Sequence, residues 1–108
     1  MEGESAAPPA EPAEGETWLV ATGAVGAWAG RDLSLACRQG GNWLFVEPRD
    51  GLRILDRSTG QEQVLFGSWR KASLPTEPLG GSTVDGEARL AINELITALQ
   101  ALGLLPSA

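Results

Sequence analysis

LSLACRQGGNWLFVEP, residues 33–48, holds the pattern from which the fold is read. Leu33 to Arg38 alternates apolar and polar at a period of two. Gln39-Gly40-Gly41-Asn42 then supplies the residue types of a tight turn, and Trp43-Leu44-Phe45-Val46 resumes a β-prone run. Period-two alternation on both sides of a Gly-Gly pair predicts a β-hairpin.

The same grammar extends outward. Thr17-Trp18-Leu19-Val20-Ala21 is a short β-prone run before the hairpin. After Pro48-Arg49-Asp50-Gly51, Leu52–Asp56 alternates again, Arg57-Ser58-Thr59-Gly60 turns, and Gln61–Phe66 forms a further strand that Gly67-Ser68-Trp69-Arg70 could continue. Five to six short strands joined by glycine-containing turns, with no helical pattern between them, predict an antiparallel meander or small barrel over residues 17–72.

Two flanking regions have other grammars. Residues 1–16 are Ala, Pro, Glu and Gly almost throughout, with five glutamates and no basic residue. They read as an extended acidic arm that could become ordered only along a partner. Residues 73–82, SLPTEPLGGS, read as a linker. From 83 to 104 the period becomes helical. Ser82 or Thr83 can cap, Asp85 and Glu87 suit the positive end of the helix, and Gly103 marks the stop. Ala88, Ile92, Leu95, Leu99 and Leu102 stand four, three, four and three apart, an a/d seam. Two readings stay open: the helix covers the β domain as a lid, or it buries the seam against symmetry mates or another protein. An isolated helix of about 20 residues is marginal in water, so it must pack somewhere.

Charge and composition exclude several functions. The net charge of −6 belongs mostly to the first 16 residues; the rest holds nine acids against eight bases. No cluster of Lys and Arg suits a phosphate backbone, so nucleic acid is not expected as a partner. The start has no basic segment followed by an apolar run, and no stretch approaches a membrane span; a protein made in the cytoplasm, without membrane insertion, is expected. The chain has no histidine, no tyrosine and one cysteine. A Ser-His-Asp or Cys-His pair is impossible, a zinc or iron site lacks ligands, and no cofactor is expected. Cys37 reads as an inert core thiol. Glu47, Asp50, Asp56 and Glu62 formally allow a carboxylate pair, but a sheet this small offers little cleft, and solvated surface acids are the expectation. Arg49-Asp50-Gly51 and Arg31-Asp32 carry their own counter-charges.

Residues 22–32, TGAVGAWAGRD, place glycines at 23, 26 and 30, which fits neither G-x-G-x-x-G nor a P-loop. The loop is expected to wrap an indole, not an anion. Four tryptophans serve a chain with few other large side chains. Trp18 and Trp43, inside apolar runs, are expected in the core. Trp28 and Trp69 have two readings, a carbohydrate-stacking platform or a plug closing one end of the barrel, and the small neighbours of Trp28 favour the plug.

Pro12-Ala13-Glu14-Gly15-Glu16-Thr17-Trp18-Leu19-Val20, followed by Thr22-Gly23-Ala24-Val25-Gly26-Ala27-Trp28-Ala29-Gly30, resembles a domain-of-unknown-function family of prophage tail-fibre-like proteins and gene transfer agent head-spike proteins of α-proteobacteria. In that family a P-x-E-G-[DE]-x-[WY]-[IL]-V run leads into A-T-G-A-W-A-G and then G-x-W-x-F-x-x-P-x-x-G. The last reads here Gly41-Asn42-Trp43-Leu44-Phe45-Val46-Glu47-Pro48-Arg49-Asp50-Gly51. The match spans about residues 6–57, and the segment from Thr83 to Leu105 is similar to endings of phage structural proteins. The resemblance implies a non-enzymatic structural component of a phage-like particle, a spike or tail fibre on the virion surface. It also implies contacts with capsid, spike or fibre proteins and adhesion to capsular polysaccharide of a recipient cell, while the a/d seam of the helix is what makes a homo-oligomer the expectation. No catalytic residue carries over. Relatives carry a helical segment upstream of the Ala-Pro-Pro stretch, close to which this chain begins. Attachment is therefore expected to fall to the acidic arm or the C-terminal helix.

Overall fold

A computed structural model describes residues 1–75 and 84–105. The architecture is mostly β, with seven strands in two small sheets and one C-terminal helix. The chain divides into two compact units, Met1–Trp69 and Arg70–Ala108.

In the first unit, β1 (Glu4–Ser5), β2 (Thr17–Val20), β3 (Leu35–Gln39) and β4 (Asn42–Val46) lie side by side in that order. β2, β3 and β4 are the expected antiparallel meander, with Trp18 opposite Ala36 and Arg38 opposite Trp43. Gly40 and Gly41 both have positive φ, 59° and 77°. That is the signature of a type I′ turn, whose twist matches the strands it joins. The second sheet orders β5 (Arg53–Asp56), β6 (Gln61–Phe66) and β7 (Ser68–Arg70). Ile54 faces Gln63 across the β5–β6 hairpin. Asp56 clamps that turn: its Oδ1 accepts from the Ser58 amide at 2.9 Å and the Ser58 hydroxyl at 2.6 Å. The described strands close no barrel; they form two open sheets.

The N-terminal segment departs from the expectation of a detached arm. β1 runs parallel to β2, with Glu4 beside Leu19 and Ser5 beside Val20. Glu2 N–H donates to Thr17 O, Leu19 N–H to Gly3 O, Ala21 N–H to Ser5 O and Val25 N–H to Ala6 O. Further along, Gly15 N–H donates to Arg38 O. The Glu2 carboxylate also pairs with Arg57 at 2.9 Å. The segment is extended, as its prolines require, but it lies along the chain's own sheet. Backbone hydrogen bonding needs no large side chain, so composition gave no sign of it.

The core is built on aromatics. Val20, Trp28 and Ala36 are fully enclosed, and Trp18, Ala24, Trp43 and Phe45 pack around them. Leu19 is enclosed on the other face of β2, and Val64 and Leu65 are buried in the second sheet.

In the second unit, α1 spans Val84–Ala101 with Asp85 and Glu87 in its first turn. The proposed caps Ser82 and Thr83, and residues 76–82 of the linker, lie outside the described residues. The C-terminus ends where Gly103 predicts. Gly103 has φ +75°; its N–H donates to Gln100 O at 3.0 Å, and Leu104 N–H donates to Leu99 O at 2.9 Å. These two bonds make a Schellman motif, which satisfies carbonyls the helix itself leaves unpaired. No described helix is long and apolar enough to cross a membrane.

Candidate functional site

The glycine loop is organised by one carboxylate. Asp32 Oδ2 accepts from Gly23 N–H and Oδ1 from Ala24 N–H, each at 3.0 Å. These amide donors, Gly23 first and Ala24 second, hold the Asp32 pKa below its ordinary value. The clamp ties the two ends of the loop. Between them a short 3₁₀ turn, Gly26–Trp28, drops the indole into the sheet. Trp28 is 0% exposed. Its ring lies 5.2 Å from Trp43 in an edge-on arrangement at 80°, and 6.5 Å from Trp18. Tilted and edge-on geometries suit the ring quadrupole and add about 1 kcal/mol per pair beyond burial. The indole N–H groups of Trp18 and Trp28 are buried and meet no acceptor among the described residues.

Trp28 is enclosed and has no face to offer a sugar, which corrects the stacking role considered for it; the described strands close no barrel for it to plug, and it fills the core beside Val20 and Ala36. Trp69 is half-buried, and its Nε1–H donates to Leu33 O at 2.8 Å. That bond pins Leu33, a non-glycine residue at φ +68°. Trp69 therefore also serves the loop that follows Trp28.

The carboxylates considered for hydrolysis hold turns or face solvent. Asp56 is buried in its turn clamp, and Asp50 Oδ1 accepts from Gly67 N–H at 2.8 Å. Glu47 and Glu62 are exposed. Among the described residues no group of three or more His, Cys, Asp or Glu could hold a metal ion. Cys37 is a half-buried free thiol on β3.

The helix seam is not enclosed. Ile92 is 57% and Leu95 50% exposed, while Ala88, Leu99 and Leu102 are half-buried. Leu90 and Ile96 add to the uncovered apolar surface. The more protected face is a different one: Glu87, Ala91, Glu94, Ala98 and Ala101, also at three- and four-residue spacing. Part of it borders a groove of about 410 Å³ with Lys71, Ser73 and Leu74. Small alanines mark the protected side, and Ile92 and Leu95 are the large side chains of the seam that remain exposed.

The sequence reading missed two arginines. Adjacency alone would give Arg31 the Asp32 carboxylate as counter-charge, but that carboxylate accepts from the Gly23 and Ala24 amides. The Arg31 guanidinium instead lies over the Phe45 ring at 4.7 Å, and Arg38 lies over Trp43 at 5.3 Å. Stacking of this kind stabilises by about 0.5–1 kcal/mol at exposed sites. The period-two spacing of Trp43 and Phe45 was the available signal, since it puts both rings on one face of β4.

Comparison with known proteins gives a family match: the model of a family described as protein of unknown function (DUF2793) covers residues 1–70. No curated protein and no solved structure matches the chain.

Proposed function

We propose that the chain, which belongs to that family over its whole first unit, is a non-enzymatic structural module of a phage-like particle. In this reading it is a component of a capsid spike or tail fibre, assembled as a homo-oligomer at the virion surface and engaged in attachment to the recipient cell. The observation that supports it most is the uncovered apolar surface of α1. Leu90, Ile92, Leu95 and Ile96 are each between 41% and 57% exposed on a helix of 18 residues. Such a helix gains stability chiefly by burying its apolar stripe, and copies of the same chain provide a matching one. Exposed apolar patches rimmed by polar side chains mark interaction sites.

The motif match of residues 6–57 supports the particle context. Attachment to a polysaccharide would fall to surfaces other than Trp28, which is enclosed. The test is fractionation of purified phage-like particles on a density gradient, with antibody labelling against this chain. Co-migration with particles and labelling at their surface are expected. Recovery solely from the soluble cell fraction, with unlabelled particles, would overturn the reading.

A further inference from the structure

β4 is an edge strand, with no described strand on its outer side. In a two-residue hairpin the closing pair, here Gln39 and Asn42, exchanges backbone hydrogen bonds, and bonded pairs then alternate. Cys37–Leu44 and Leu35–Val46 are the next bonded pairs in this register. Arg38 obeys the alternation: its N–H donates to Glu16 O at 2.8 Å and its carbonyl accepts from Gly15 N–H at 2.7 Å, both away from β4. The N–H and C=O groups of Trp43 and Phe45 therefore face outward, and no described residue meets them. Folded proteins blunt such edges with lysine, proline or a bulge. The five residues of β4 contain none of these.

Charge lies on one side of that edge. Arg31 and Arg38 sit over Phe45 and Trp43, which are two residues apart and so roughly 7 Å along the strand. Neither guanidinium forms an ion pair with a described carboxylate. On the opposite side Leu44 and Val46 are 51% and 49% exposed. The edge thus offers paired cations on one face, apolar side chains on the other, and unmatched backbone between them.

We propose that β4 accepts an extended segment of a partner protein as a fifth strand, one whose side chains alternate between acidic and apolar. Its backbone pairs with Trp43 and Phe45, its carboxylates at positions i and i+2 meet Arg31 and Arg38, and its intervening apolar side chains pack on Leu44 and Val46. A second copy of this chain fits poorly. Antiparallel pairing of β4 with itself would bring Arg31 of one copy near Arg38 of the other, and like charges directly opposed destabilise a strand pair. A soluble polyanion could use the cations but would leave the backbone groups unmatched. The proposal stands apart from the particle reading and survives its failure.

The experiment uses ¹⁵N-labelled full-length protein and two capped nonapeptides, one alternating valine and glutamate, the other valine and lysine. The glutamate peptide is expected to slow hydrogen exchange of the Trp43 and Phe45 amides by about tenfold or more, and the lysine peptide to do nothing. The charge reversal R31E/R38E is expected to weaken glutamate-peptide binding about tenfold and to admit the lysine peptide. R31Q/R38Q, checked for folding by circular dichroism, is expected to weaken the first without admitting the second. Unchanged exchange at both amides, or equal binding of the two peptides, would overturn the proposal. So would polygalacturonate displacing the glutamate peptide while perturbing only the arginine side chains.

Discussion

At the scale of single residues, the fold depends on Trp28 and on the carboxylate that holds its loop. Trp28→Ala removes an enclosed indole and two aromatic contacts, and is expected to cost about 3–5 kcal/mol in urea unfolding. Trp69→Ala, at a half-buried position, should cost clearly less. Asp32 adds a pH signature. Its folded pKa is depressed, so its contribution is complete above the unfolded value, near 3.8, and fades as pH falls through the lower folded value. Asp32→Asn is expected to flatten that part of the acid limb of the stability curve, followed by thermal melts between pH 2 and 6. An unchanged acid limb would remove Asp32 from the account. The enclosure of Trp28 could be read from its small neighbours, because an indole approaching a sheet needs a backbone without bulky flanks. The Asp32 clamp could not: adjacent Arg31 and Asp32 look self-neutralising until the loop brings Gly23 and Ala24 back across nine and eight residues.

At the scale of elements, patterning and hydrogen bonding carried different amounts of information. The β3–β4 hairpin was readable because side-chain alternation and turn chemistry point the same way. The stop of α1 at Gly103 was readable because few residues besides glycine take the left-handed conformation of a Schellman motif without strain. β1 was hidden, since Glu4 and Ser5 pair through their backbone and contribute no apolar stripe. Two variants follow. Deleting residues 1–6 removes four backbone bonds to Thr17, Leu19, Ala21 and Val25 and uncovers Trp18 beside Gly3. A fall in Tm of about 10 °C or more is expected by calorimetry; no change would restore the detached-arm view. Gly41→Val forces a β-branched residue to φ near 77°. Its expected cost is about 1–2 kcal/mol, read from denaturant midpoints.

At the scale of the molecule, each unit leaves a surface uncovered: the β4 edge of the first and the apolar face of α1 in the second. The second was half foreseen. The a/d spacing placed Ile92 and Leu95 on one stripe, but spacing alone cannot say whether a stripe faces a partner or its own domain. It is the alanine-rich face that is protected, and that leaves the large side chains free to dock. Sedimentation velocity of the full-length protein and of I92E/L95E, from 1 to 100 µM, tests this directly. A discrete oligomer is expected for the natural sequence and a monomer for the variant, with the β domain equally stable in both. A natural chain that stays monomeric throughout that range, with α1 fully helical by circular dichroism, would contradict it.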